Sequence, residues 1–314
     1  MSESTDALVQ LLAINRNAYK QTLHPTSLDW PASISDDEQR FCSRFVFGDD
    51  VHGREALVYV AKELAQLSEI EKHVSAVMAL LLTELGSVDH VLASGYGLHN
   101  ALSCFAAEEL QHADMFYRYV RLLLGRDFKL PDNRMAARLA LYQGADSVLV
   151  KLGALVAGAY VGESVMTVFE HRIDRMDPPA RQFVSQVVKL HGLDEARHIE
   201  FDHFIFEHVI AKFSPSETLR FGQILQGQLE LNRALGLDFE ALAVAVTGRD
   251  YLTGNLAHAT QQRLFEVFAK LVFAGGRARR IDDVLDESVQ HVLSEFAGIA
   301  HIHPVAVAPP LGLS

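Results

Sequence analysis

The segment Leu190-His191-Gly192-Leu193-Asp194-Glu195-Ala196-Arg197-His198 lies inside a run, residues 179–213, whose apolar positions recur at helical spacing. On a helix, His191, Glu195 and His198 are spaced i, i+4 and i+7 and fall within an arc of about 60°. One helix face therefore offers a carboxylate between two imidazoles. Glu200 and His203 repeat the Glu-x-x-His spacing, but Glu200 lies about 140° round the helix from Glu195 and faces elsewhere.

A second unit, Glu109-Leu110-Gln111-His112, lies in another helical run, residues 95–124. Residues three apart on a helix are neighbours, so each unit can offer both donors to one ion. In a chain with 15 histidines a single Glu-x-x-His is close to chance; two on long helices, one extended by His191, form a pattern. A bundle site of this kind takes one further carboxylate from each of two other helices. Glu163 is the first of these, because it stands in a largely apolar stretch, 148–169, where an ionised Glu is costly unless paired or bound to metal. The competing explanation is an ion pair with Arg197 or Lys151.

The remaining carboxylate must come from residues 50–85, where Glu63, Glu69, Glu71 and Glu84 compete. Leu64, Leu67, Val74 and Met78 share the face of Glu71, whereas Lys62, Gln66, Lys72 and His73 surround Glu69, which is expected to face solvent. In an antiparallel hairpin Glu71 is level with Glu109, while Glu84 would be displaced by roughly 18 Å. Glu163 and Glu195 are likewise about equally far from the turn at Pro178. Mixed carboxylate and imidazole ligation suits a pair of iron or manganese ions, and the absence of thiolate ligands argues against a structural zinc. Asp194 and Glu108 precede the two motif glutamates and are placed to hold imidazoles across the bundle, Asp194 that of His112 and Glu108 that of His198.

Around this centre the chain reads as all-α. Helical runs cover 50–85, 95–124, 133–172, 179–213, 215–235, 251–273 and 281–296, and alternating β-branched runs are nearly absent. No linker divides the 314 residues, so a single domain is expected: loops and short helices over 1–49, a four-helix metal-binding core over 50–213, additional helices over 214–300 and a tail over 301–314. Lys plus Arg is 28 and Asp plus Glu is 40, a net charge of −12, which argues against nucleic acid or an anionic membrane surface as the main partner. Two cysteines and no signal-like start make the cytoplasm the expected compartment. Lys151 and Glu163 mark the 148–169 stretch as a buried core helix rather than a membrane span.

These residues resemble the ferritin-like di-iron carboxylate proteins, and more narrowly the p-aminobenzoate N-oxygenase family of di-iron amine oxygenases. The narrowing rests on His191, the histidine four before the second Glu-x-x-His, which ferritins and ribonucleotide reductase small subunits lack. The resemblance covers roughly half the chain and implies a ferritin-like bundle. Its metal ligands, through which catalysis runs, would be Glu71, Glu109, His112, Glu163, His191, Glu195 and His198. Glu108 stands where an Asp is common, and the gap from Glu71 to Glu109 is slightly long.

The resemblance further implies two iron ions per chain, with manganese admissible, and O2 as co-substrate. The reaction would oxidise an amine nitrogen to a hydroxylamine, nitroso or nitro product in secondary metabolism, with electrons from an external reductase or the substrate. A homodimer is expected. Nitrogen oxidation needs a free lone pair, and an aryl amine arrives neutral at pH 7 where an aliphatic amine arrives protonated, so an aryl amine is favoured. The alternatives are a di-iron oxidase acting on C–H bonds and a non-enzymatic iron-binding protein. Gly158, Ala159 and Gly162 either leave space for a substrate or serve close helix packing, and Tyr119, Tyr160 and Arg197 stand near the ligand motifs. Gly95-Tyr96-Gly97 reads as a helix start, Arg277, Arg279 and Arg280 as a solvated boundary, and His301 and His303 as incidental.

Overall fold

Ser147 caps the most apolar helix of the chain, its hydroxyl accepting from the amide of Leu149, and the helix then runs from Val148 to Met176. The computed structural model describes residues 3–20, 24–86, 92, 97–248, 250–252 and 255–273. In chain order the α-helices are α1 (Glu3–Lys20), α2 (Asp36–Phe47), α3 (Gly53–Leu85), α4 (Gly97–Leu124), α5 (Met135–Leu141), α6 (Val148–Met176), α7 (Phe183–His208), α8 (Pro215–Thr247) and α9 (Leu256–Phe273). Among the described residues there is no strand.

Helices α3, α4, α6 and α7 form a four-helix core, with α1 laid against α4 and α7, α2 against α3, and α8 and α9 over α6. Two apolar cores fill its ends. One contains Val77, Met78, Leu81, Leu102, Leu155, Val161 and Phe204; the other contains Tyr59, Leu64, Phe116, Tyr119, Phe169, Val184 and Val187. Each large side chain buried this way contributes about 1.5–3 kcal/mol. The level between the two cores is where the acidic residues and histidines of the four helices meet. Of the most apolar 18-residue window of α6, 89% is buried inside the protein, so this is a core helix.

Four sequence expectations need correction. The expected helix 133–172 is two helices: Gly144, at φ +108°, breaks it between α5 and α6, a backbone state that side chains with a Cβ rarely adopt. The first fifty residues hold an 18-residue helix, α1, whose Ala7, Leu11 and Ile14 are buried. Helix α8 continues past 235 because Phe239 and Ala243 still have a core to face, and it stops at Gly248 in the left-handed conformation. Glu69 is buried rather than solvent-facing: Lys72 Nζ lies 2.8 Å from its Oε1 and Asn133 Nδ2 donates to its Oε2 at 2.7 Å, as the segment leading into α5 covers that side of α3. The expectations for 281–296, for Arg277, Arg279 and Arg280, and for His301, His303 and the tail lie outside the described residues.

Candidate metal centre

Glu71 from α3, Glu109 and His112 from α4, Glu163 from α6, and His191, Glu195 and His198 from α7 are all buried, none more than 8% exposed. The structure brings six of them into two overlapping groups. Donor atoms of Glu71, His112, His191 and Glu195 lie within 4.8 Å of one another, as do those of Glu109, His112, Glu195 and His198. His112 and Glu195 are common to both. Glu195 Oε1 is the hub, 3.0 Å from His191 Nε2 and 3.3 Å from both His112 Nδ1 and His198 Nδ1.

Each imidazole turns its other nitrogen outward to a carboxylate. His112 Nε2 lies 3.2 Å from Asp194, His198 Nε2 3.0 Å from Glu108, and His191 Nδ1 2.8 Å from Glu170. The first two pairings are those expected from sequence. An outward N–H donated to a carboxylate leaves the inward nitrogen with a free lone pair, which is the state a metal needs. Arg197 braces two of these carboxylates: its Nη2 donates to Glu108 Oε1 at 2.6 Å and also to Asp194 Oδ1. Tyr119 donates to Glu38 at 2.5 Å, and Tyr160 packs against His203 and Phe206.

Glu163 lies outside both donor groups and has neither Arg197 nor Lys151 as a partner; Lys151 pairs with Glu84 at 2.8 Å. Its neighbour is Asp202, which sequence reading missed. Asp202 extends the α7 stripe to i+11 from His191, so the spacing was available as a signal. Burial, then the charge of Asp202 and of Glu195, pushes the Glu163 carboxyl well above the ordinary range, and Asp202 rises to about 8, chiefly by burial. Burial and Glu71 do the same to Glu109. Glu195 moves the other way, because the imidazoles of His191 and His198 outweigh its burial. Likewise His198 is lifted to about 9, burial being outweighed by Glu195 and Glu108.

The inward atoms test directly whether metal belongs here. His112 Nδ1, His191 Nε2, His198 Nδ1 and both carboxylate oxygens of Glu163 and of Glu195 are buried and meet no partner in hydrogen-bonding geometry, facing one another and, for Glu163, Asp202. Orphaned buried acceptors at this density are costly, and four carboxylates and three imidazoles converging from four helices match the donor set of a two-metal carboxylate centre. Four carboxylates would balance two divalent ions. The residues fit the group.

Residues 96–247 match the family model of the p-aminobenzoate N-oxygenase AurF. The matched segment contains every proposed ligand except Glu71, and it supports a di-iron oxygenase, an oxidoreductase with a two-metal site. Among solved structures, the chain is similar to a mutant R2-like ligand-binding oxidase with an anaerobically reconstituted Mn/Fe cofactor, at 15% identity over 83% of this chain and 92% of that one, with a TM-score of 0.46. A second mutant of that description, with an aerobically reconstituted Mn/Fe cofactor, gives 16% identity over 83% and 96%, with a TM-score of 0.42. Comparison with curated proteins finds no match.

Proposed function

We propose that the protein is an O2-dependent oxygenase of an aryl amine nitrogen, in which Glu71, Glu109, His112, Glu163, His191, Glu195 and His198 would hold two metal ions. The observation that carries the reading is the convergence of three unpartnered imidazole nitrogens on Glu195, with the third, from His191, added to the paired Glu-x-x-His units. The family match over 96–247 supports the nitrogen as target. Bound iron would supply the reducing equivalents and the oxygen-binding position; manganese suits the same donors.

The chain's own residues do the rest. Asp194, Glu108 and Glu170 keep a proton on the outward nitrogen of each imidazole, and Arg197 fixes two of those three carboxylates. The flanking apolar cores exclude water from a reactive centre. An aryl amine reaches this site with its lone pair free at neutral pH. Electrons come from an external reductase or from the substrate.

The test is to load the protein anaerobically with Fe(II), mix it with O2 in the presence of aniline or para-alkyl anilines, and follow visible absorbance and products by mass spectrometry. A transient absorbance consumed faster with the amine, together with a hydroxylamine, nitroso or nitro product, is expected. Oxidation that no amine affects would replace this reading with C–H oxidation or iron handling.

A further inference from the structure

A cavity of about 690 Å³ lies between α3, α6, α8 and α9. None of the seven candidate ligands lines it, but helix neighbours of two of them do. Leu67 and Val74, four before and three after Glu71, line it, and so do Ala159 and Met166, four before and three after Glu163. On a helix those neighbours lie about 40–60° round from the residue between them, so the α3 and α6 carboxylates stand on the stripes next to the cavity wall rather than in it. Gly162, beside Glu163, also lines it, and a Cβ built there meets nothing within 4 Å. Gly158 is different: a Cβ there would collide with the Gln228 amide, so that glycine serves packing.

Resting on the amine-oxidising reading, we infer that this cavity is the substrate chamber and that it takes an extended, largely apolar amine, larger than a single-ring amino acid and with no carboxylate at the end lined by Glu63 and Glu240. Size is the first ground, since cavities of about 300–1,000 Å³ hold drug-sized ligands. Charge is the second. At the α3 end, Lys62 Nζ lies 3.0 Å from Glu63 and 3.8 Å from Glu240, while His258 lies 3.2 Å from Glu240 and 3.7 Å from Glu63. Two cations are thus matched by two carboxylates, and an incoming carboxylate would meet Glu63 and Glu240 with their countercharges already engaged. The lining cations Arg233 and Lys270, on α8 and α9, are exposed and stand apart from that ion-pair cluster.

Anaerobic calorimetry on the Fe(II)-loaded protein tests the assignment without turnover, using 4-hexylaniline and p-aminobenzoate as probes. The expected result is that 4-hexylaniline binds at least tenfold more tightly, and that Gly162→Phe weakens it at least tenfold while iron content and helical circular dichroism are unchanged. Phe265→Trp, on α9 at the far wall, provides a second obstruction should Gly162→Phe fail to fold. Equal or tighter binding of p-aminobenzoate, or 4-hexylaniline affinity unaffected by either folded variant, overturns the inference. Binding blocked by Gly162→Phe with no N-oxidised product on adding O2 upholds the chamber and sinks N-oxygenation. N-oxidation indifferent to both variants does the reverse.

Discussion

The carboxylate of Glu170 on α6 takes the Nδ1 side of His191 on α7 at 2.8 Å, and Gly192 makes the approach possible: a Cβ there would lie 2.5 Å from Glu170 Oε2. Losing the partner of a ligand imidazole typically costs 10–100-fold in metal affinity. Glu170→Ala should weaken iron binding by that amount, and Glu170→Gln, which retains an acceptor, should recover part of it. Gly192→Ala should weaken iron binding similarly although alanine favours the helix by about 1 kcal/mol. Competition titration against a chelator, alongside thermal unfolding of the metal-free protein, separates the two effects. Unchanged affinity in both variants would show that Glu170 does not orient His191.

Glu163 and Asp202 are buried carboxylates in contact, both pushed toward the neutral form, first by burial. A carboxylate kept for metal should therefore burden the metal-free fold. Glu163→Ala should leave the metal-free melting temperature at pH 7 unchanged or raised, and should cut iron binding below two per chain. A large loss of thermal stability with full iron content would make Glu163 structural instead.

Lys151 is fully buried and its ammonium is held by Glu84 at 2.8 Å and by the carbonyl of Gly144 at 2.9 Å. Glu84→Ala leaves that charge without its counterion. The expected loss is about 2–3 kcal/mol, below the range for a fully buried pair because the Glu84 side chain is 31% exposed. Adding Lys151→Met should restore most of it, measurable as a double-mutant cycle by denaturant unfolding. Additive losses would contradict the pairing.

His258 is flanked by Lys62 and Glu63 from α3, Glu240 from α8 and the Tyr59 ring, and although burial opposes its charge, Glu240 and Glu63 raise its pKa from 6.5 to about 9. The stabilisation is complete below pH 6.5 and is lost as pH rises through 9. Glu63, drawn down to about 2 as Lys62 and His258 outweigh its burial, contributes fully above pH 4.5 and fails only in strong acid. Melting temperature should therefore decline from pH 6.5 to 9.5, and His258→Gln should flatten that decline while lowering the value at pH 6. Parallel curves for the two proteins would locate the pH dependence elsewhere.

The four-helix core and the depth of the centre were legible because they follow from helical period. Glu71, Glu109, Glu163 and Glu195 could be brought to one level by counting residues from turns, and the Asp194 and Glu108 pairings by their adjacency to the motif glutamates. Glu170 was not legible, since it sits on a different helix from His191 and only the crossing of α6 and α7 joins them. Glu69 was misread because the face it shares with Lys72 is covered by a segment far along the chain at Asn133. The break at Gly144 was obscured by strong helical patterning on both sides, and the cavity depends on how α8 and α9 lie over α6, which no local pattern encodes.

Glu195 belongs to both donor groups, so iron stoichiometry is the most direct test of the two-metal centre. Anaerobic Fe(II) loading followed by metal analysis should give two irons per chain for the wild-type protein and none for Glu195→Ala with its helical signal intact. Fewer than two in the wild-type protein, or two retained by Glu195→Ala, would contradict the assignment.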